Sequence, residues 1–207
     1  MSAPGTQLVL SEHVNYNQEH AMHESVMAFG QAVLNSSDIS GKRVVEVGSM
    51  NINGSLREHI EALGPASYVG VDFLAGAGVD VVCDAGELVS RFGEGAFDVV
   101  VSTEMLEHAE NWRSAIDAMK RVLVPGGVLL LTARGPGFKL HGYPHDWHRF
   151  TVDDLRRIFA DFDVDRLEAD PQAPGVMVRA RKPADWHAVD LNIINVAPAD
   201  AINAPRL

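Results

Sequence analysis

Gly41-Lys-Arg-Val-Val-Glu-Val-Gly-Ser-Met-Asn-Ile-Asn-Gly54 decides the fold. A β-branched run at 44–47 ends on Gly48. Leu56, Ile60 and Leu63 then recur at helical spacing until Gly64-Pro65 closes them. A strand that passes through a glycine turn into a helix opens a βα unit, and the alternation continues downstream. Strands are predicted at 68–71, 79–82, 97–101 and 128–131. The fourth, Phe97-Asp-Val-Val-Val101, is continuous and rich in β-branched residues, which suits a strand covered on both faces. The helix after it carries Trp112, Ala115, Ile116, Met119 and Val122 on one face, and Pro125-Gly126-Gly127 is predicted as a sharp turn. Such alternation predicts an α/β fold with parallel strands joined by crossover helices.

Further along, Thr151-Val-Asp-Asp154 resembles a capping box opening a helix with Leu155, Ile158 and Phe159 inward. Two last strands are predicted at 162–168 and 176–180. Their connection is too short for a helical crossover, so they form an antiparallel hairpin. Upstream, Met22, Val26, Phe29 and Val33 form a helical stripe within 18–34, with Met27 and Leu34 alongside, and Asn35-Ser-Ser-Asp38 ends it. The chain divides into an N-terminal arm and lid helix (1–40), an α/β domain (41–182) and a tail (183–207). Tyr16, Asn17, His20 and His23 on or near the first helix are candidate lid contacts to a cofactor. The tail has no clear period, but Trp186, Leu191, Ile193 and Ile194 make it too apolar to be free. It is expected to dock on its own domain or on a partner subunit, the second being a route to a homodimer.

The bulk properties narrow the partners. The 207 residues carry a formal net charge of −11, and no long Lys/Arg run offers a phosphate backbone a basic stripe. Nucleic acid is therefore not expected as a partner. Cys83 is the single cysteine, which rules out an intramolecular disulfide and a Cys-rich zinc site. Residues 1–10 lack the pattern of a signal peptide, and no stretch approaches the ~20 apolar residues that span a bilayer. The expectation is a cytoplasmic protein with no membrane partner.

In open α/β sheets ligands bind beyond the carboxyl ends of the strands. Those positions hold Glu46, Gly48, Ser49 and Met50 after the first strand, Asp72 after the second, Cys83-Asp84-Ala85 after the third, and Ser102-Thr103-Glu104 after the fourth. Gly48 lets backbone approach a ligand closely. Asp72 follows it at about the 20-residue interval at which an acid meets ribose hydroxyls. The loop has no glycine between Gly48 and Gly54, so it lacks the G-x-G-x-x-G that seats a pyrophosphate, and no P-loop occurs. A nucleoside without phosphates asks less of such a loop. Cys83 is read as a small buried contact rather than a nucleophile.

The runs VVEVGSMNINGSLR, YVGVD, VVCDA, FDVVVSTEMLEH and LVPGGVLLLT, in that order, resemble the class I S-adenosylmethionine-dependent methyltransferases of the type 11 kind. The likeness covers roughly residues 41–182. It implies a Rossmann-like, seven-stranded, mostly parallel sheet in the order 3-2-1-4-5-7-6, with helices on both faces and the seventh strand antiparallel. It implies that Glu46 and Gly48 line the methionine part of the cofactor and that Asp72 binds the ribose hydroxyls. Asp84 would approach the adenine amino group, with Cys83 and Ala85 beside the ring, and Ser102, Thr103 and Glu104 would close over the methionine end. Many members have a second glycine where this chain has Met50, which implies a modified path for 49–53.

Methyl transfer from a sulfonium is an in-line displacement helped by alignment in a dry pocket, and a hydroxyl acceptor also profits from a base near neutrality. The segment His141-Gly-Tyr-Pro-His145-Asp146-Trp147-His148-Arg149-Phe150 follows the fifth strand and also resembles a Pro-His-Asp-x-x-Arg-Phe-Thr stretch of some glycan and natural-product methyltransferases. Three readings stay open there. His145 or His148 acts as a general base, oriented by Asp146 or Glu107; the His/Asp group holds a divalent metal; or these residues wall the pocket and cap the next helix. His108 is a further candidate base or a structural hydrogen-bonding group. No residue is assigned as a metal ligand from the sequence. The expected activity is methylation of an oxygen or nitrogen on a small polar acceptor, sugar-like or anionic. The alternatives are a cofactor-binding protein without catalysis and a macromolecule methylase. The charge opposes the last, as does the lack of an Asn-Pro-Pro-aromatic run after the fourth strand.

Overall fold

The computed structural model describes residues 24–200 apart from Asn53, Tyr143 and Pro144. Its centre is a seven-stranded sheet of β1 (Arg43–Val47), β2 (Ser67–Asp72), β3 (Val81–Val82), β4 (Phe97–Thr103), β5 (Leu123–Arg134), β7 (Asp163–Ala169) and β8 (Gly175–Arg181). The spatial order is β3-β2-β1-β4-β5-β8-β7. This is the expected order, with the last two labels raised by one because a short strand, β6 (His148–Arg149), intervenes in the chain and pairs outside the sheet. β1 to β5 run parallel, and β8 is antiparallel to both β5 and β7, as the short connection requires.

Alternate side chains of the central strands enter two cores. Val44, Val99, Val101, Val128 and Leu130 meet Phe29, Val33, Leu56 and Ile60 on one face. Val45, Val47, Val100, Leu129 and Leu131 meet Trp112, Ile116, Met119, Leu155 and Phe159 on the other. The first face is covered by α1 (Glu24–Val33) and α3 (Arg57–Ala62), the second by α4 (Leu88–Phe92), α5 (Trp112–Val122) and α6 (Val152–Ile158). The box predicted at Thr151 is present: its hydroxyl oxygen accepts from Asp154 N, and the Asp154 carboxylate accepts from Thr151 N. Asn35 and Asp38 make a second box, so the segment expected only to end a helix starts another, α2 (Ser36–Ile39).

Two other boundaries move. β3 is shorter than predicted, since Asp80 leaves the ladder and its carboxylate accepts from Gly70 N at 2.7 Å. β5 is longer: Pro125-Gly126-Gly127 bulges from it, and the register with β4 shifts between Phe97 and Val99. α1 is described only from Glu24, and the candidate lid contacts Tyr16, Asn17, His20 and His23 lie outside the described residues, as does Met22. The described part of the tail packs on its own domain. Ile194 is buried, Trp186 Nε1 donates to Asp161 at 2.9 Å, and Arg113 donates to the Leu191 and Ile194 carbonyls at 3.0 and 2.5 Å. The tail then pairs as β9 (Ala197–Pro198) with β6. Among the described residues no helix is long and apolar enough to cross a membrane.

Candidate active site

A cleft of about 880 Å³ opens at the carboxyl ends of β1, β2, β4 and β5. That is ample for a nucleoside-bearing cofactor beside a small acceptor. Every residue expected to contact the cofactor lines it: Glu46, Gly48, Ser49, Met50, Asp72, Cys83, Asp84, Ala85, Thr103 and Glu104.

β1 delivers Glu46 and Gly48. Glu46 is buried, accepts hydrogen bonds from Tyr68 Oη and Ser55 Oγ, and lies near the Arg57 guanidinium. Burial outweighs these partners and pushes its pKa up to about 7. Gly48 has φ +82°, and a Cβ there would lie 2.4 Å from the Met105 side chain. Only glycine tolerates both conditions. Gly48 N and Ser49 N both donate to Val71 O, locking the turn onto β2.

The loop beyond follows a path set by Met50. Its backbone N–H donates to Asp72 Oδ2 at 3.2 Å, its side chain lies over Gly76, and Asn51 N donates to Ala77 O. Asp72 is mostly buried, and its other oxygen accepts from Leu74 N at 3.1 Å. Each carboxylate oxygen thus spends one lone-pair direction on the loops and keeps capacity for a hydroxyl donor. Asp84 caps a 3-10 turn through Gly86 N at 2.7 Å. Burial raises the Cys83 thiol pKa, which suits a contact rather than a nucleophile.

β4 ends on Thr103 and Glu104. Glu104 has φ +52°, the sole non-glycine residue with positive φ among those described, and pairs with the buried Arg134 at the end of β5. A strained backbone held by an ion pair at a cleft is typical of a functional position. Burial raises the Glu104 pKa to about 7 although Arg134 opposes the shift. Arg134 lies 4.1 Å from the Phe138 ring centroid, and Phe138 is another wall of the cleft.

The acceptor end departs from the sequence reading. His108, His141, His145 and Trp147 line the cleft; His148 and Asp146 do not. His148 Nε2 donates to Glu110 O at 3.1 Å, and the residue is held in the β6–β9 ladder, so the structure gives it a structural partner in place of a basic one. Asp146 orients neither His145 nor His148. It binds Arg149 through both carboxylate oxygens and accepts from His141 N and Nδ1, each at 3.0 Å. Burial pushes the Asp146 pKa up, but the Arg149 hydrogen bonds prevail and hold it below the usual carboxylate range. His108 Nδ1 contacts the His145 carbonyl, and the His108 and His141 rings meet edge to face at 4.8 Å. Burial lowers the His141 pKa, against the pull of Glu107 beside it. Sequence reasoning missed Arg134 and Phe138 and singled out His141 only through the crowding of histidines after the fifth strand.

Residues 45–131 match the family model described as the methyltransferase domain. That match spans less than half of the 207-residue chain. The chain is 30% identical to a ubiquinone biosynthesis O-methyltransferase of Nitrosococcus oceani, covering 57% of this chain and 61% of that protein. It is 27% identical to the Chromobacterium violaceum protein of the same name, covering 55% and 59%. The chain thus spans about three fifths of the length of these curated relatives. Among solved structures, a Burkholderia thailandensis 1,6-didemethyltoxoflavin-N1-methyltransferase with bound S-adenosylhomocysteine superposes with a TM-score of 0.62 at 18% identity, over 77% of this chain and 79% of that one. A Mesorhizobium loti S-adenosylmethionine-dependent methyltransferase superposes with a TM-score of 0.61 at 16% identity, over 76% and 98%. S-Adenosylmethionine is the cofactor of this family, and the residues present fit it: a glycine turn with no room for a side chain, a strand-end carboxylate with spare acceptor capacity, and a buried acid ready to face a cation.

Proposed function

We propose that this methyltransferase domain transfers a methyl group from S-adenosylmethionine to an oxygen of a small polar acceptor. The cleft carries the reading: carboxylates of Glu46, Asp72 and Asp84 line one end, and His108, His141, His145 and Trp147 line the other. When bound, the cofactor supplies an electrophilic methyl on a sulfonium. In this reading Asp72 holds the ribose hydroxyls, Asp84 approaches the adenine amino group, and Glu46 faces the positively charged methionine end. The aromatic and histidine wall orients the acceptor and excludes water, which leaves alignment to do much of the catalysis. Oxygen is favoured over nitrogen because the relatives matched by sequence are named O-methyltransferases. The small acceptor, the cytoplasmic setting and the lack of a nucleic-acid partner belong to the same reading, supported by the net charge of −11 and the single cysteine.

Calorimetric titration with S-adenosylhomocysteine, with NAD as control, tests the cofactor half. Transfer of labelled methyl from S-adenosylmethionine to a panel of small hydroxylated and amino compounds tests the rest. Binding of the first nucleoside alone, with label reaching hydroxylated compounds, is the expected result. NAD binding, or label reaching only amines, would overturn it.

A further inference from the structure

Glu107 has no accessible surface, and neither carboxylate oxygen has a hydrogen-bond partner among the described residues. A buried carboxylate left this way costs several kcal/mol unless a proton or a cation answers it, so it demands an explanation. Two histidines supply one. An oxygen of Glu107 and a ring nitrogen each of His108 and His141 lie within 4.8 Å of one another.

Both rings are tautomerically committed. The partner of His108 Nδ1 is the His145 carbonyl, at 2.5 Å, which can only accept, so Nδ1 carries the proton. The partner of His141 Nδ1 is the Asp146 carboxylate, at 3.0 Å, which Arg149 keeps ionised. In the unprotonated form of each ring the free lone pair is therefore on Nε2. A histidine that donates one ring N–H to a carboxylate or carbonyl, with the carboxylate held in turn, is the arrangement that orients metal-ligating imidazoles. Two imidazoles and one carboxylate are also the protein ligands of a zinc that keeps its fourth position open.

We propose that Glu107, His108 and His141 bind a divalent transition-metal cation of the zinc type at the acceptor end of the cleft. Bonds of about 2.1 Å hold ligand atoms at most about 4 Å apart, so the three groups need to close by about an ångström. His141 lies in neither a helix nor a strand, so it is the ligand whose position would adjust. His108 and His141 line the cleft, which provides the entry path and places the open position toward the acceptor. There the cation would take a hydroxyl oxygen of the acceptor; that clause rests on the oxygen-acceptor reading above, whereas the binding of the cation does not. Imidazole-rich donors favour zinc and its neighbours over magnesium or calcium.

The test uses the whole chain, stripped with a chelator and titrated with zinc chloride and, separately, cobalt chloride. The expected result is uptake of about one cation per chain, with the strong visible absorption of four-coordinate cobalt. Glu107→Gln and His141→Ala should each weaken uptake by about tenfold or more, while binding S-adenosylhomocysteine as the unchanged chain does, which shows them folded. His108→Gln serves as a third variant if His141→Ala fails that check. No uptake by the unchanged chain, or equal uptake by folded Glu107→Gln and the histidine variants, overturns the site. Cation uptake without any binding of S-adenosylhomocysteine would instead overturn the cofactor assignment and leave the cation site standing.

Discussion

The backbone N–H of Met50 donates to Oδ2 of Asp72 at 3.2 Å, so the loop after β1 is fastened to the acid that ends β2. Met50, where the family resemblance led to the expectation of a glycine, is thus built into the site: it lies over Gly76, and the 49–52 and 73–79 loops support each other. Asp72→Ala removes the acceptor for Met50 N and Leu74 N as well as the proposed ribose contact. Losing a hydrogen bond to a charged group costs about 1.5–3 kcal/mol, so S-adenosylhomocysteine affinity should fall roughly 10- to 100-fold. Calorimetry on the folded variant is the check, and an affinity within a factor of two of the parent would remove Asp72 from the ribose role.

Glu46 sets a pH dependence of stability. Burial raises its folded-state pKa to about 7 from an ordinary 4.5, so the native state holds a proton that the unfolded state releases. Its contribution is fully present below about pH 4.5, is lost as pH rises toward 7, and is constant above. The shift corresponds to at most about 3 kcal/mol. Glu46→Gln, which cannot ionise, should gain stability over the parent between pH 5 and pH 8 by an amount of that order. Denaturant midpoints of the two proteins at both pH values measure it. Equal differences at the two values would mean that Glu46 is ionised throughout.

Much of the architecture was legible because its causes are local. Val44, Val45 and Val47 are buried on both faces of β1, so the strand reads as a continuous apolar run. The hairpin of β7 and β8 follows from a connection too short to hold a helix. α4 was not legible, since Leu88–Phe92 is too short to show a period. The pairing of β6 with β9 joins His148 to Pro198 and Arg149 to Ala197, and no spacing within either segment announces it. The cofactor end of the site depends on strand ends and was readable one strand at a time. The acceptor end depends on the irregular segment after β5 folding back over β4, so Asp146 found His141 and Arg149 as partners where the sequence offered three histidines equally.

The tail is predicted to hold the acceptor wall. Ile194 is buried, Arg113 binds two of the tail's carbonyls, and Ala199 N donates to Trp147 O at 2.9 Å beside the β6–β9 pair. A chain cut after Lys182 loses all of these, whereas the cofactor end of the cleft draws nothing from the tail. Such a chain should melt several degrees lower and turn over more slowly, yet keep its S-adenosylhomocysteine affinity. Thermal melts and titration of the cut chain decide between this and a tail whose removal changes nothing. Arg113→Ala should show the same pattern in weaker form.

Asp146 and His148 stand close in sequence and should behave in opposite ways. Arg149 is fully buried, and Asp146 answers its charge through both carboxylate oxygens. Asp146→Asn leaves that guanidinium without a counter-charge, a change that costs about 3–5 kcal/mol in a buried pair. It also leaves one acceptor oxygen for His141 and Arg149 to share, which loosens the hold on the His141 ring, so turnover should fall along with stability. His148→Ala removes one side-chain hydrogen bond to Glu110 O, worth about 1 kcal/mol, and no group from the cleft. Its turnover should stay within about threefold of the parent, since loss of a general base costs about 100-fold or more. Denaturant midpoints and turnover measured side by side separate the two roles. A large drop in turnover for His148→Ala at unchanged stability would return His148 to the list of bases and require the β6–β9 pair to open during the reaction.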